Sequence, residues 1–222
     1  MLSKFVGEAD AYNGLSEHSL PAEILRLGRV NSPHGPLVAN LGDWTAGDLV
    51  LSSEPSPNIF NPITTYQRFI YPGWDVHRWT HVGVYDGRGL IWDANPDANI
   101  QSRSVTDYLL KKPVVKLVRF RQMALSAAAL DDALISLSKT TYDMPSLGLL
   151  LLARVLGMED ANTVVNSNTE TAICSTFVER VYWRCGVNSI IPKIRMLVPA
   201  DFAADPSFYT VPIQWCRPSA AP

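Results

Sequence analysis

The segment 81–94, H-V-G-V-Y-D-G-R-G-L-I-W-D-A, constrains this chain more than any other. Val82 and Val84 on one side and Leu90, Ile91 and Trp92 on the other enclose Asp86-Gly87-Arg88-Gly89. Two β-forming runs around a glycine turn spell a β-hairpin. A loop over 87–89 with Gly89 in the left-handed position pairs Asp86 with Leu90. Counting back along that register sets His81 opposite Asn95, with Asp93 one step diagonal on the same face. A histidine and a carboxylate are therefore expected on one side of one hairpin.

The residue expected to join them lies far along the chain. The run 173–186, I-C-S-T-F-V-E-R-V-Y-W-R-C-G, puts Cys174, Phe177, Val178, Val181, Tyr182 and Cys185 on one helical face, with Gly186 as terminator. Cys174 falls in the first turn, where the helix dipole and a neighbouring imidazole stabilise a thiolate. Cys185 at the far end and Cys216 in the irregular tail read as structural. His81 would take the thiol proton and return it to a leaving group, and Asp93 is the acceptor that fixes its tautomer, with Asn95 as the fallback. The Cys174 amide supplies one oxyanion donor. The second donor stays open, with Tyr142 a candidate for a side-chain role nearby. A lone cysteine on an apolar stripe is usually a small buried hydrophobe, and a lone strand histidine a structural residue. Only the combination points to chemistry.

The other segments supply a frame. The run 16–30 reads as a short helix, 32–36 as a turn, 47–52 as a strand, and 58–78 as a long aromatic connection folded over the start of the hairpin. That connection is either a substrate-contacting lid or plain packing. Residues 104–110 have room for two helical turns capped by Ser104, 113–121 alternate as a strand, and 126–139 form an amphipathic helix with Asp131 and Asp132 outward. Tyr142-Asp143 caps an apolar helix starting near Pro145, and 157–170 reads as loop. The tail 198–215 is loop-rich with one edge strand over 209–213.

Composition narrows the function classes. With 222 residues, 47% apolar and 18% charged, the chain can bury a core, and one domain is expected. A net charge of −2 without a basic cluster argues against nucleic acid as a partner. Three cysteines without C-x-x-C spacing suit neither a disulfide framework nor a zinc site. His77 and His81 lack the further ligands a metal needs, and His18 and His34 read as loop residues, so no metal and no cofactor is expected. The first twelve residues lack the pattern of a signal peptide, so a cytoplasmic start is expected, export by a dedicated secretion machine aside. The apolar block 147–156 is too short to span a membrane and reads as a buried helix.

Taken together, Gly47-Asp48-Leu49-Val50, His81-Val82-Gly83-Val84-Tyr85, Asp93-Ala94 and Cys174-Ser175 resemble the circularly permuted papain-like NlpC-type cysteine hydrolases, relatives of the lecithin retinol acyltransferase group. The order histidine, polar residue, cysteine is that of the permuted members, and Tyr142-Asp143 and Val198-Pro199-Ala200-Asp201 look like their flanking segments. The third position departs from the many members that carry His or Glu, and the 58–78 connection is long. The resemblance covers roughly 47–211, leaving 1–46 as an extension. It implies an α+β fold, a small antiparallel sheet or half-barrel packed on helices. It also implies hydrolysis of an amide, peptide or isopeptide bond, peptidoglycan stem peptides included, through a thioester with Cys174, His81 and Asp93. The alternatives are a lipid acyltransferase or thioesterase, which would bring membrane contact, and an inactive binding module. The enzyme reading requires the Cys174 sulfur to face His81 and to reach a cleft.

Overall fold

The computed structural model describes residues 30–32, 35–53, 61–111, 114–122, 125–143, 171–187 and 197–216. In chain order these form β1 (Val30–Ser32), β2 (Gly35–Ala39), β3 (Leu49–Ser53), α1 (Pro62–Ile70), α2 (Trp74–His77), β4 (His81–Tyr85), β5 (Leu90–Asn95), β6 (Asn99–Ser104) and α3 (Val105–Lys111). There follow β7 (Val114–Phe120), α4 (Ala127–Leu137), β8 (Thr141–Tyr142), β9 (Thr171–Ala172), α5 (Cys174–Arg184), α6 (Pro199–Ala204), β10 (Phe208–Val211) and β11 (Trp215–Cys216).

The β4–β5 hairpin has the register its turn dictates. Val84 pairs with Trp92 and Tyr85 with Ile91, and the Asp86 amide donates to the Leu90 carbonyl at 3.0 Å. The Asp86 carboxylate accepts from the amides of Arg88 and Leu90, closing the loop, and Gly89 has φ 99°. Around this hairpin the strands β10-β7-β3-β4-β5-β6 form a six-stranded sheet whose pairs are all antiparallel.

Alternation along the central strands feeds two cores. Leu49, Leu51, Val82, Val84 and Val118 pack on one face against α4 and α5. Val50, Tyr85, Ile91 and Leu117 pack on the other against Val105, Tyr108 and Leu109 of α3, with Ala39 of β2 and Trp215 of β11 alongside. The protein is thus α+β, with helices on both faces of an antiparallel sheet. The helix α5 buries Cys174, Phe177, Val178, Val181 and Tyr182 at three- and four-residue spacing. It ends in a Schellman motif: the Val187 amide donates to the Tyr182 carbonyl and Gly186, at φ 87°, to Trp183. The Tyr182 hydroxyl donates to the Gly47 carbonyl at 2.5 Å, fastening this helix to the start of β3.

Three sequence expectations differ from the structure, and the strand β6 was not expected at all. The connection 58–78 contains two helices: Asn61 caps α1 by accepting from Ile63 and Thr64, and Pro62 occupies the first turn, where its missing N–H is harmless. Prolines that read as breakers mark boundaries instead. The polar β6 is a sheet edge with weak apolar alternation. The tail contains α6, started by Pro199 with the Val198 amide donating to Asp201, and its edge strand is β10, paired with β7. Finally, Thr141-Tyr142 is a strand bridged in parallel to Thr171-Ala172. The helices expected over 16–30 and from Pro145, the apolar block 147–156, the loop 157–170, His18 and His34 lie outside the described residues, apart from Val30, which opens β1. Among the described residues, no helix is long and apolar enough to cross a membrane.

Candidate functional site

His81 and Cys174 each occupy the first position of their element, β4 and α5, so the two meet end to end. His81 Nε2 lies 2.7 Å from Asp93 Oδ2. That leaves Nδ1 for the thiol, and the charge of Cys174 acts on the His81 ring. Asn95, the fallback partner, instead accepts the Asp97 amide at 3.0 Å and shapes the β5–β6 turn.

Gly83 sits between His81 and Asp93 for a steric reason. A Cβ there would meet Ile91 Cγ2 at 2.6 Å, the Trp92 carbonyl at 3.1 Å and Asp93 Cβ at 3.4 Å. Only glycine leaves β5 close enough to deliver the carboxylate. Asp93 is fully buried. Burial alone would push its pKa up, yet the hydrogen bond and charge of His81, followed by Arg103, hold it below the usual carboxylate range. His81 moves the other way. Burial pulls it down, but the Cys174 charge and the Asp93 hydrogen bond outweigh this and raise it from 6.5 to about 9.

Sequence reasoning missed a second group around this pair. The Arg103 Nη2 donates to Asp93 Oδ2 at 2.5 Å, from the strand β6, where Arg103 pairs with Ile91 and so shares the face of Asp93. Its guanidinium lies 5.1 Å from the centre of the Tyr108 ring. That ring stacks on His81 at 6.3 Å, and its hydroxyl is 3.4 Å from Ser52 Oγ on β3. The alternation Gln101, Arg103 was the available signal, and recognising β6 would have exposed it.

Tyr142 is brought to the site by β8, whose partner β9 ends two residues before Cys174. The Asn99 side chain, on a residue at φ 58°, accepts the Tyr142 amide at 2.9 Å and fixes its position. Burial, then the charges of Cys174 and Asp143, push the Tyr142 hydroxyl up, so it stays a proton donor. His77 has a structural place: it is buried in α2, with Nδ1 2.8 Å from the Tyr71 carbonyl oxygen. Among the described residues, no group of three or more His, Cys, Asp or Glu could hold a metal ion. Cys185 is half-buried, and burial raises its pKa.

The cleft required by an enzyme reading is not open at Cys174. The cysteine is fully buried, and 11% of the His81 side chain is exposed. A cavity of about 260 Å³ lies instead beside Gly47, Asp48, Arg119 and Tyr182, at the opposite end of β3 from Ser52. The requirement that the sulfur reach a cleft is therefore not met in this state, and any turnover would need Cys174 to become exposed. No protein-family model matches the chain, and no curated protein matches it.

Proposed function

We propose that the protein is a cysteine hydrolase of permuted papain-like architecture that cleaves an amide or peptide-type bond through a thioester on Cys174. The observation that carries this reading is the 2.7 Å His81–Asp93 pair, with Cys174 at the head of α5 acting by its charge on the same ring. His81 takes the thiol proton at Nδ1 as the sulfur attacks the carbonyl carbon. The developing oxyanion is met by the Cys174 amide, which at the helix start has no intrahelical acceptor, and by the Tyr142 hydroxyl. His81 then passes the proton to the departing amine, which leaves a thioester. A water molecule gives its proton to His81 and its oxygen to the acyl carbon, and the returning proton restores the thiol. Asp93 keeps the ring oriented and stabilises its protonated form.

The resemblance also allows, as a second reading, an acyl substrate carried on a lipid. Incubation with cell extract followed by mass spectrometry of the Cys174 peptide tests both. A peptidyl adduct supports the first reading and a fatty-acyl adduct the second. Both expect Cys174→Ala to abolish turnover on the substrate so identified. Full turnover by that variant, or an adduct confined to Cys185, would refute the assignment.

A further inference from the structure

The buried site contains one carboxylate and two cationic partners on a single oxygen. Both His81 Nε2, at 2.7 Å, and Arg103 Nη2, at 2.5 Å, contact Asp93 Oδ2, while Asp93 Oδ1 is buried without a hydrogen-bond partner among the described residues. When the thiol ionises and the imidazole is protonated, Cys174, His81, Asp93 and Arg103 alternate in sign and sum to zero. Without Arg103, the same state would leave a net negative charge in a site where Cys174 and Asp93 have no solvent exposure. Unbalanced charge in low dielectric is costly enough to push an ion pair back to its neutral form.

Resting on the relay reading and extending it, we infer that Arg103 is a positioning residue that acts through Asp93, keeping the carboxylate ionised so that the thiolate–imidazolium pair forms in a closed site. Its placement is specific. β6 holds Arg103 opposite Ile91, diagonal to Asp93, and the guanidinium rests on Tyr108, which also stacks on His81. The fork is therefore braced against the same ring that braces the imidazole. Among the described residues, the ionisable and charged groups facing Asp93 are His81 from β4, Arg103 from β6 and Tyr108 from α3, with Cys174 of α5 beyond His81. Of these, Arg103 is the cation placed on the Asp93 oxygen from the strand that flanks β5.

The test is a ¹³C NMR titration of the Asp93 carboxyl in the full chain, comparing wild type with Arg103→Lys, Arg103→Gln and Arg103→Met. Peptide-resolved iodoacetamide labelling of Cys174 is followed in parallel. Arg103→Gln and Arg103→Met are expected to raise the Asp93 midpoint by at least about one pH unit, and Arg103→Lys to stay near wild type. Labelling at neutral pH should slow about tenfold in the two neutral variants and recover with lysine. If Arg103→Gln titrates within the scatter of wild type, the guanidinium acts by hydrogen bonding alone and the inference is overturned. Should Arg103→Met fail to fold, the Gln and Lys contrast decides. The Asp93 titration needs no substrate, so a shifted midpoint without any acyl adduct would sink the hydrolase reading and leave the charge relation standing.

Discussion

Two buried aspartates in this sheet are each held by an arginine, in ways that differ. Asp48, just before β3, uses both oxygens: Arg119 Nε and Nη2 reach Oδ1 and Oδ2 at 2.7 and 2.8 Å, and Thr45 adds its amide at 2.8 Å and its hydroxyl at 3.1 Å. The hydrogen bonds that Arg119 donates to Asp48 are the main reason the Arg119 pKa is raised. Asp93 instead loads Arg103 and His81 onto one oxygen and leaves the other without a partner among the described residues. A bidentate, fully satisfied carboxylate is a clamp, fixing where β3 and β7 meet. A one-sided carboxylate shared with a titratable ring ties its own charge to the protonation of a neighbour. On the proposed reading, the difference separates a carboxylate that holds the sheet from one that sets up chemistry.

The largest expected effect is that of Asp93→Asn. It keeps the shape but removes the charge, and acylation of Cys174 by an activated ester should fall on the order of 10³- to 10⁴-fold with little change in melting temperature. Asp48→Ala should do the reverse, lowering stability by about 2–3 kcal/mol in urea unfolding by stranding Arg119 and the Thr45 amide, while folded protein acylates normally. Equal kinetic losses in the two variants would erase the distinction.

Gly83→Ala sharpens it. The added methyl must displace Ile91 and press on Asp93 and the Trp92 backbone, for a cost of about 1–3 kcal/mol. Its acylation rate should drop as well, because the carboxylate moves away from His81. A stable variant with an unchanged rate would show that β5 adjusts freely.

A further effect is that of pH on stability. His81 is raised from 6.5 to about 9, so the fold binds its proton more tightly than the unfolded chain does. Its contribution is present in full below 6.5 and is lost as the pH rises through about 9. Asp93 is lowered from 3.8, so its contribution is present above that value and is lost as the pH falls through the depressed folded value. Urea midpoints of His81→Gln should therefore decline less than those of wild type across the alkaline window. Parallel curves would show that the imidazole does not titrate as the geometry requires.

Local chemistry was enough to set out the hairpin, its register and the helix carrying Cys174. Glycines in a three-residue turn, alternation over five residues and apolar spacing around Gly186 are short-range signals that later contacts reinforce. Elements with weak local signals were missed: the two short helices between prolines in 61–78, the six-residue α6, and the polar edge strand β6. Each is stabilised mainly by what it packs on. Gln67 illustrates this, since its buried amide donates to the His77 and Trp79 carbonyls and accepts the Ala200 amide, tying α1 to both α2 and α6 across long sequence separations.

By itself the sequence determined that an imidazole and a carboxylate would lie on one face of a hairpin, because side-chain period and turn length leave little freedom over fourteen residues. Only the tertiary structure decided that Arg103 and Tyr108 close around them, that Asn95 turns to its own loop, and that the thiol is buried. Those outcomes depend on strand order and on which faces the helices cover, and such long-range contacts leave no mark on local periodicity.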